Sequence, residues 1–313
     1  MHETRTQHGP ASLEPPTDPP TRSTLAVATA AGVRVGDSVE LAGRSVTDVV
    51  DSPLGPIALC GGRDLLVRTG GDWSLVASLE GGGGRRIGVT GRAVFVGGSE
   101  ARLWRLDGSR LERVAAFDRA PTSAEWHTPW GGPPDVYAFA SDGDRLYVGV
   151  HVGGILRSDD LGSTWSDTID LHLDVHDVAV DAAGEVWAAT GRRALARSTD
   201  GGATWEHVTD GLHARYALAV AVGPAGPIVG VSSGPFARDG RVYRWDGGRL
   251  VAVEGLPDDL EGAVGPGLIT ADGSTAAVAL PNGVVYTSDD AGMTWAPSGA
   301  AFGTVHALAF VDV

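Results

Sequence analysis

Nine histidines are spread through this 313-residue sequence, and several sit where short apolar runs begin or end. His151 closes YVGVH, His176 opens HDVAV, His306 opens HALAF, His213 precedes YALAV, and His127 lies in a loop ahead of VYAF. Neutral imidazoles arriving from several strands can ligate a divalent transition metal such as Zn, Fe, Cu or Mn. Glu125, Asp135 and Asp177 are the carboxylates placed to complete such a ligand set or to orient the rings. No compact ligand spacing such as HExxH accompanies these histidines. A polar pocket without metal and a set of hydrogen-bonded structural histidines therefore stand as alternatives.

Two loops could shape a ligand around those groups. AEWHTPWGGPPDVY, residues 124–137, carries Trp126 and Trp130 outside any repeat, and its Gly-Gly-Pro-Pro stiffens it. The tryptophans suit either a stacking platform for a sugar or aromatic ligand, or an apolar cap. SSGPFARDGR, residues 232–241, offers Phe236 and Arg238 as rim residues, with Arg215 beside it in order of blades. Glu125 and Tyr216 are the catalytic candidates. Other reactions find less. The chain has no lysine, which excludes a Schiff base and a P-loop. Cys60 is the single cysteine, with no base placed by the sequence, and no G-x-S-x-G elbow occurs. GGGG at residues 81–84 lacks a strand-to-helix context and reads as a link between units.

The elements that must position these residues are written in a repeat. RSDDLGSTW (157–165), RSTDGGATW (197–205) and TSDDAGMTW (287–295) share Ser-x-Asp-x-Gly-x-Thr-Trp. In such a spacing the Asp accepts from the backbone amides of its own turn and the Gly supplies a positive φ. The Thr then restarts an extended strand, and the Trp enters an apolar seam. Between the turns lie short β-rich runs punctuated by Gly, Asp and Pro. They group from residue 23 onward into units of four strands, A to D, and seven such units fit. The first lacks its strand A, while VHALAFVDV at 305–313 is a surplus strand of that type. We therefore expect an all-β, seven-bladed β-propeller spanning 23–313, closed by its C-terminal strand. In that geometry the C–D turns face away from the loops that lead into strand A. The acids Asp160, Asp200 and Asp290 are then structural, and the histidines gather on the opposite face.

The repeated turn resembles the Asp-box, or bacterial neuraminidase repeat, of sialidase-like and related propellers. It is also similar to Asp-box propellers that assist photosystem assembly. The first resemblance implies a glycoside hydrolase or carbohydrate-binding protein, with three converging arginines and a Tyr–Glu nucleophile pair. Arg86, Arg192, Arg215 and Arg238 could reach the correct face and Tyr216 could be proposed as nucleophile, but no Arg-Ile-Pro motif occurs. The second resemblance implies a non-catalytic scaffold. The reading taken forward is a His-rich site on the channel face for a small-molecule or carbohydrate ligand, with the two family readings as alternatives.

Charge narrows the partners. Lys and Arg total 24 against 39 Asp and Glu, a formal net charge of −15. This argues against nucleic acid and against anionic membranes, which need basic neutralisation. Residues 1–22 are rich in proline and charge and carry no apolar core, so they are expected to form a disordered tail rather than a leader. A cytoplasmic location is the expectation.

Overall fold

The computed structural model describes residues 23–128 and 130–313, the side chain of Ala300 excepted; the expected tail, 1–22, lies outside them. Seven four-stranded antiparallel sheets are arranged as a β-propeller, with almost no helix. Blade one takes its innermost strand from the chain's end. Val305–Val311 pairs with Thr24–Thr29, for example Leu308 opposite Val27 and Ala309 opposite Ala26. Blades two to seven follow in order, with innermost strands Val46–Val50, Gly84–Val89, Val136–Asp142, Val175–Val180, Tyr216–Gly223 and Ile269–Asp272.

The apolar core lies between blades rather than within them. Each cluster of buried side chains is shared by two neighbours around the ring. One joins blades one and two through Val35, Val49 and Leu66, and another joins six and seven through Ala219, Ile228 and Val278. The last, with Val27, Val285 and Leu308, closes seven onto one. A sheet that buries both faces reads as near-continuous apolar runs, as TLAVAT, VWAAT and GPIVGVS do. Where inner strands converge, side chains shrink. A Cβ on Gly88 would stand 2.4 Å from Phe139 Cδ1 of the next blade.

The three Ser-x-Asp-x-Gly-x-Thr-Trp segments are tight turns between strands C and D. In the first, Asp160 Oδ1 accepts from Thr164 N–H at 2.8 Å and Ser158 Oγ–H at 2.9 Å, while Gly162 N–H donates to Ser158 Oγ at 2.8 Å. Asp200 and Asp290 repeat the pattern with Thr204 and Thr294 at 2.8 and 2.9 Å. The hydroxyl and amide of each Thr, with the Ser hydroxyl, hold Asp200 and Asp290 down at about 2. These acids serve their turns and lie away from the histidine-bearing loops.

Inner-strand bulges aim the channel residues. Six inner strands carry one extra residue near their start, which leaves Thr47, Arg85, Tyr137, His176, Leu218 and His306 unpaired in the ladder. A bulge bends the strand and re-aims that side chain. His176 and His306 thus share a register, and its blade-four member is Tyr137. The next residue inward is Asp48 in blade two and Asp177 in blade five. Each accepts from the backbone of the following blade: Ile87 N–H to Asp48 Oδ2 at 2.7 Å, Val220 N–H to Asp177 Oδ2 at 3.2 Å. Arg86 spans the channel from Asp48 Oδ1, at 3.3 Å, to the carbonyls of His306 and Pro266. It therefore ties the channel wall and does not reach the mouth.

Candidate functional site

Three side chains from blades four and five meet at the channel mouth. His151 follows strand B of blade four, Arg145–Val150. Asp174 and His176 enter strand A of blade five. One donor atom from each lies within 4.8 Å of the others. Backbone bonds fix their carriers, since Val175 N–H donates to His151 O at 3.0 Å and Gly191 N–H donates to Asp174 O at 2.8 Å. The approach is close: a Cβ at Gly191 would stand 2.8 Å from Asp174 Oδ2.

The hydrogen bonds within the group are unbalanced. His176 Nδ1 lies 2.6 Å from Ala217 O, a carbonyl that can only accept, so Nδ1 carries the proton. In the neutral ring Nε2 is then an acceptor, and it faces Asp174 Oδ2 at 3.3 Å. Tyr216 Oη–H donates to that same oxygen at 3.2 Å. The other oxygen, Asp174 Oδ1, lies 3.1 Å from His151 Nε2, yet it is sealed from solvent and has no partner in hydrogen-bonding geometry. Two acceptors in contact and an orphaned carboxylate oxygen require a positive species between them, either a proton or a cation. Burial opposes ionisation of Asp174, but the two imidazoles outweigh it and hold its carboxyl well below the usual range. Burial and the Asp174 charge push the Tyr216 phenol up, so it stays protonated. Asp177, one step deeper, is pushed up by burial to about 6 against the pull of Val220 N–H and Arg86.

Aromatic rings enclose the cluster. Tyr137 and Trp130 meet His151 edge-on with centroids 5.5 and 5.2 Å away, and Tyr216 lies 5.1 Å from His176. A cavity of about 650 Å³ opens onto Asp174 and Tyr216, bounded by His127, Trp130, Arg192 and Phe236 among others.

Comparison with known proteins stops at the fold. The chain is similar to the GH74 xyloglucanase of Xanthomonas campestris, 18% identical over 82% of this chain with a TM-score of 0.61, and spans only 45% of that enzyme. It is similar to YCF48 from Cyanidioschyzon merolae, 14% identical over 92% of this chain and 88% of that one, with a TM-score of 0.55. YCF48 bound to D1 peptide gives 14% identity, 90% and 84% coverage and a TM-score of 0.53. No family model and no curated protein matches the sequence. The likeness is one of architecture.

The remaining sequence candidates are placed as follows. His127 stands exposed at the cavity rim with Nδ1 3.0 Å from Glu125 O. His213 engages both ring nitrogens, Nδ1 with Tyr243 Oη at 2.7 Å and Nε2 with Asp239 O at 2.8 Å, and so anchors the 232–241 loop. His306 bonds Val46 O at 2.8 Å, as His176 bonds Ala217 O, in the matching position of another blade. None of these three joins the cluster. Glu125 is exposed in a short 3₁₀ turn, Ser123–Glu125, and does not bound the cavity. Trp126 packs on Phe117 at 5.1 Å, which makes it part of the inter-blade core, while Trp130 is 75% exposed at the mouth. Phe236, 84% exposed, faces the cavity; Arg215 and Arg238 are exposed outside it. Asp174 is the member sequence reasoning missed. Its signal was Asp174-Val175-His176, since residues two apart in an extended segment share a face.

Proposed function

We propose that His151, Asp174 and His176 hold a divalent transition metal at the base of a small-molecule cavity. The observation that carries this reading is the orphaned Asp174 Oδ1 facing His151 Nε2, beside a His176 whose Nδ1–H is committed to a carbonyl. The bond from Nδ1–H to Ala217 O presents the Nε2 lone pair inward, the arrangement that orients metal-bound imidazoles. Two imidazoles and one carboxylate suit Fe, Mn or Zn and leave positions for an oxygen ligand. A metal there would supply Lewis acidity toward that oxygen. Tyr216 fixes the Asp174 carboxylate through Oδ2. The sialidase-like alternative gains no support: Tyr216 faces an aspartate and holds its proton, and of the four arginines considered only Arg192 bounds the cavity.

Elemental mass spectrometry after incubation with Zn, Fe(II), Mn or Cu tests the proposal. About one equivalent of metal is expected. His151→Ala and Asp174→Asn should each reduce it to a small fraction while retaining the thermal transition. Absence of stoichiometric metal under all four conditions refutes the metal centre. The assignment would then pass to a scaffold, favoured by the exposed rim aromatics Trp130 and Phe236, which would dock a peptide.

A further inference from the structure

The walls of the cavity carry charge and aromatic surface that metal binding does not use. Arg192 and Arg193 occupy the B–C turn of blade five, between strands Val186–Thr190 and Ala194–Ser198. Among the described residues neither is paired with a carboxylate, whereas Arg197 of the same blade is held by Glu185 at 2.7 Å and Glu206 at 3.3 Å. Arg193 lines the same cavity, and burial and the Arg193 charge lower the pKa of His207. Arg192 lines the cavity together with Asp174 and Tyr216.

Arg192 is held there at a conformational cost. Its φ is +68 and that of Ala194 is +63, a region in which non-glycine residues are strained by roughly 1–2 kcal/mol. Blade two fills its corresponding turn with Gly61 and Gly62 at φ +59 and +61. The blade-five turn is pinned at three points. Gly191 N–H donates to Asp174 O at 2.8 Å, Ala194 N–H to Arg215 O at 3.1 Å, and Thr190 Oγ–H to Ala194 O at 2.9 Å. A cationic residue is thus anchored by its backbone at the cavity wall in a protein whose net charge is −15. Arg192 and Arg193 set two positive charges against the carboxylate of Asp170 on the cavity wall, Asp174 being engaged by the two imidazoles, and such a local excess of positive charge selects anions. Across the opening, Trp130 and Phe236 expose 75% and 84% of their surface, with no described residue covering them. A cavity of about 650 Å³ exceeds the needs of a bare inorganic anion and suits an organic ligand with one apolar end.

We infer that this cavity takes a small aromatic carboxylate. Its anionic end would lie between the triad and the Arg192 guanidinium, and its ring against Trp130 and Phe236. The metal-facing half of this assignment rests on the metal centre proposed above; the arginine and aromatic halves do not.

The test uses 1-naphthoate, with 1-naphthamide as neutral isostere and acetate as ringless anion. Binding is followed by calorimetry and tryptophan fluorescence, on Zn-loaded and on chelator-treated full-length protein. Naphthoate should bind Zn-loaded protein at least about tenfold more tightly than either control, one charge-assisted contact being of that size. Arg192→Gln should remove most of the preference over naphthamide without altering zinc content. Phe236→Ala should weaken naphthoate and naphthamide alike and leave acetate unchanged. Equal binding of naphthoate and naphthamide, or an Arg192→Gln variant indistinguishable from the parent, overturns the inference. A protein that holds no zinc yet prefers naphthoate in an Arg192-dependent way would sink the metal centre alone.

Discussion

Asp174 is where the site is decided at the scale of single residues. It bridges both histidines, and Tyr216 touches only its Oδ2. Tyr216→Phe removes that one hydroxyl and leaves the ring against His176. The variant should keep its thermal stability within about 1 kcal/mol, the worth of a single hydrogen bond. Its metal affinity, measured by competition with a chelator, should fall roughly 10- to 100-fold, as for other outer-shell partners. Unchanged affinity would mean that Tyr216 packs without positioning. His151 and His176 were readable because imidazoles at strand ends are conspicuous, but His127, His213 and His306 carry the same signal and do not join them. Asp174 was not singled out, because its spacing of two from His176 is a weak signal among 39 acidic residues until its neighbours in space are known. The bulges explain the rest. Whether His176 or Val175 turns to the mouth depends on one unpaired residue, and the apolar pattern of VHDVAV fits either register.

At the scale of elements, the C–D turns and the linker between blades three and four are separable. Asp200 and Asp290 have folded pKa values of about 2 against an ordinary 3.8, set by the hydroxyl and amide of Thr204 and Thr294 and the hydroxyls of Ser198 and Ser288. A depressed carboxyl stabilises the fold above its unfolded pKa and loses that effect as pH falls through the folded value. Asp200→Ala should therefore melt below the parent at pH 7, and the gap should narrow between about pH 4 and pH 2; a gap independent of pH would contradict the assignment. The linker behaves as core. Phe117 is fully buried, with Trp126 and Trp165 centroids 5.1 and 5.0 Å away. Phe117→Ala should cost about 3–5 kcal/mol in denaturant unfolding. Such turns were legible because their chemistry is local to nine residues. The role of Trp126 was not, since the cap and the platform readings differ only in what lies beneath the ring.

For the whole molecule the decisive joint is the one between the chain's two ends. Every inter-blade cluster is needed to leave no sheet face bare, and the seventh forms only when Val305–Val311 completes blade one. The surplus terminal strand and the incomplete first blade announce this closure in the sequence, because an unpaired inner strand must find an edge. Removing residues 304–313 withdraws Val305, Ala307, Leu308, Ala309 and Val311 from two clusters at once. At roughly 1.5–3 kcal/mol per large buried aliphatic side chain, the loss approaches the 5–15 kcal/mol that holds a domain together. It also bares the edge of Thr24–Thr29. The truncated chain should lose its cooperative melt and elute as aggregate, whereas removal of Asp312 and Val313 alone should leave a monodisperse protein with a near-parental melting temperature. A synthetic peptide of residues 304–313 should restore part of the transition when supplied during refolding, since its one pairing partner, Thr24–Thr29, is in place. If instead the truncated chain melts as the parent does, blades one and seven are joined by something other than this strand, and closure is not the source of stability argued here.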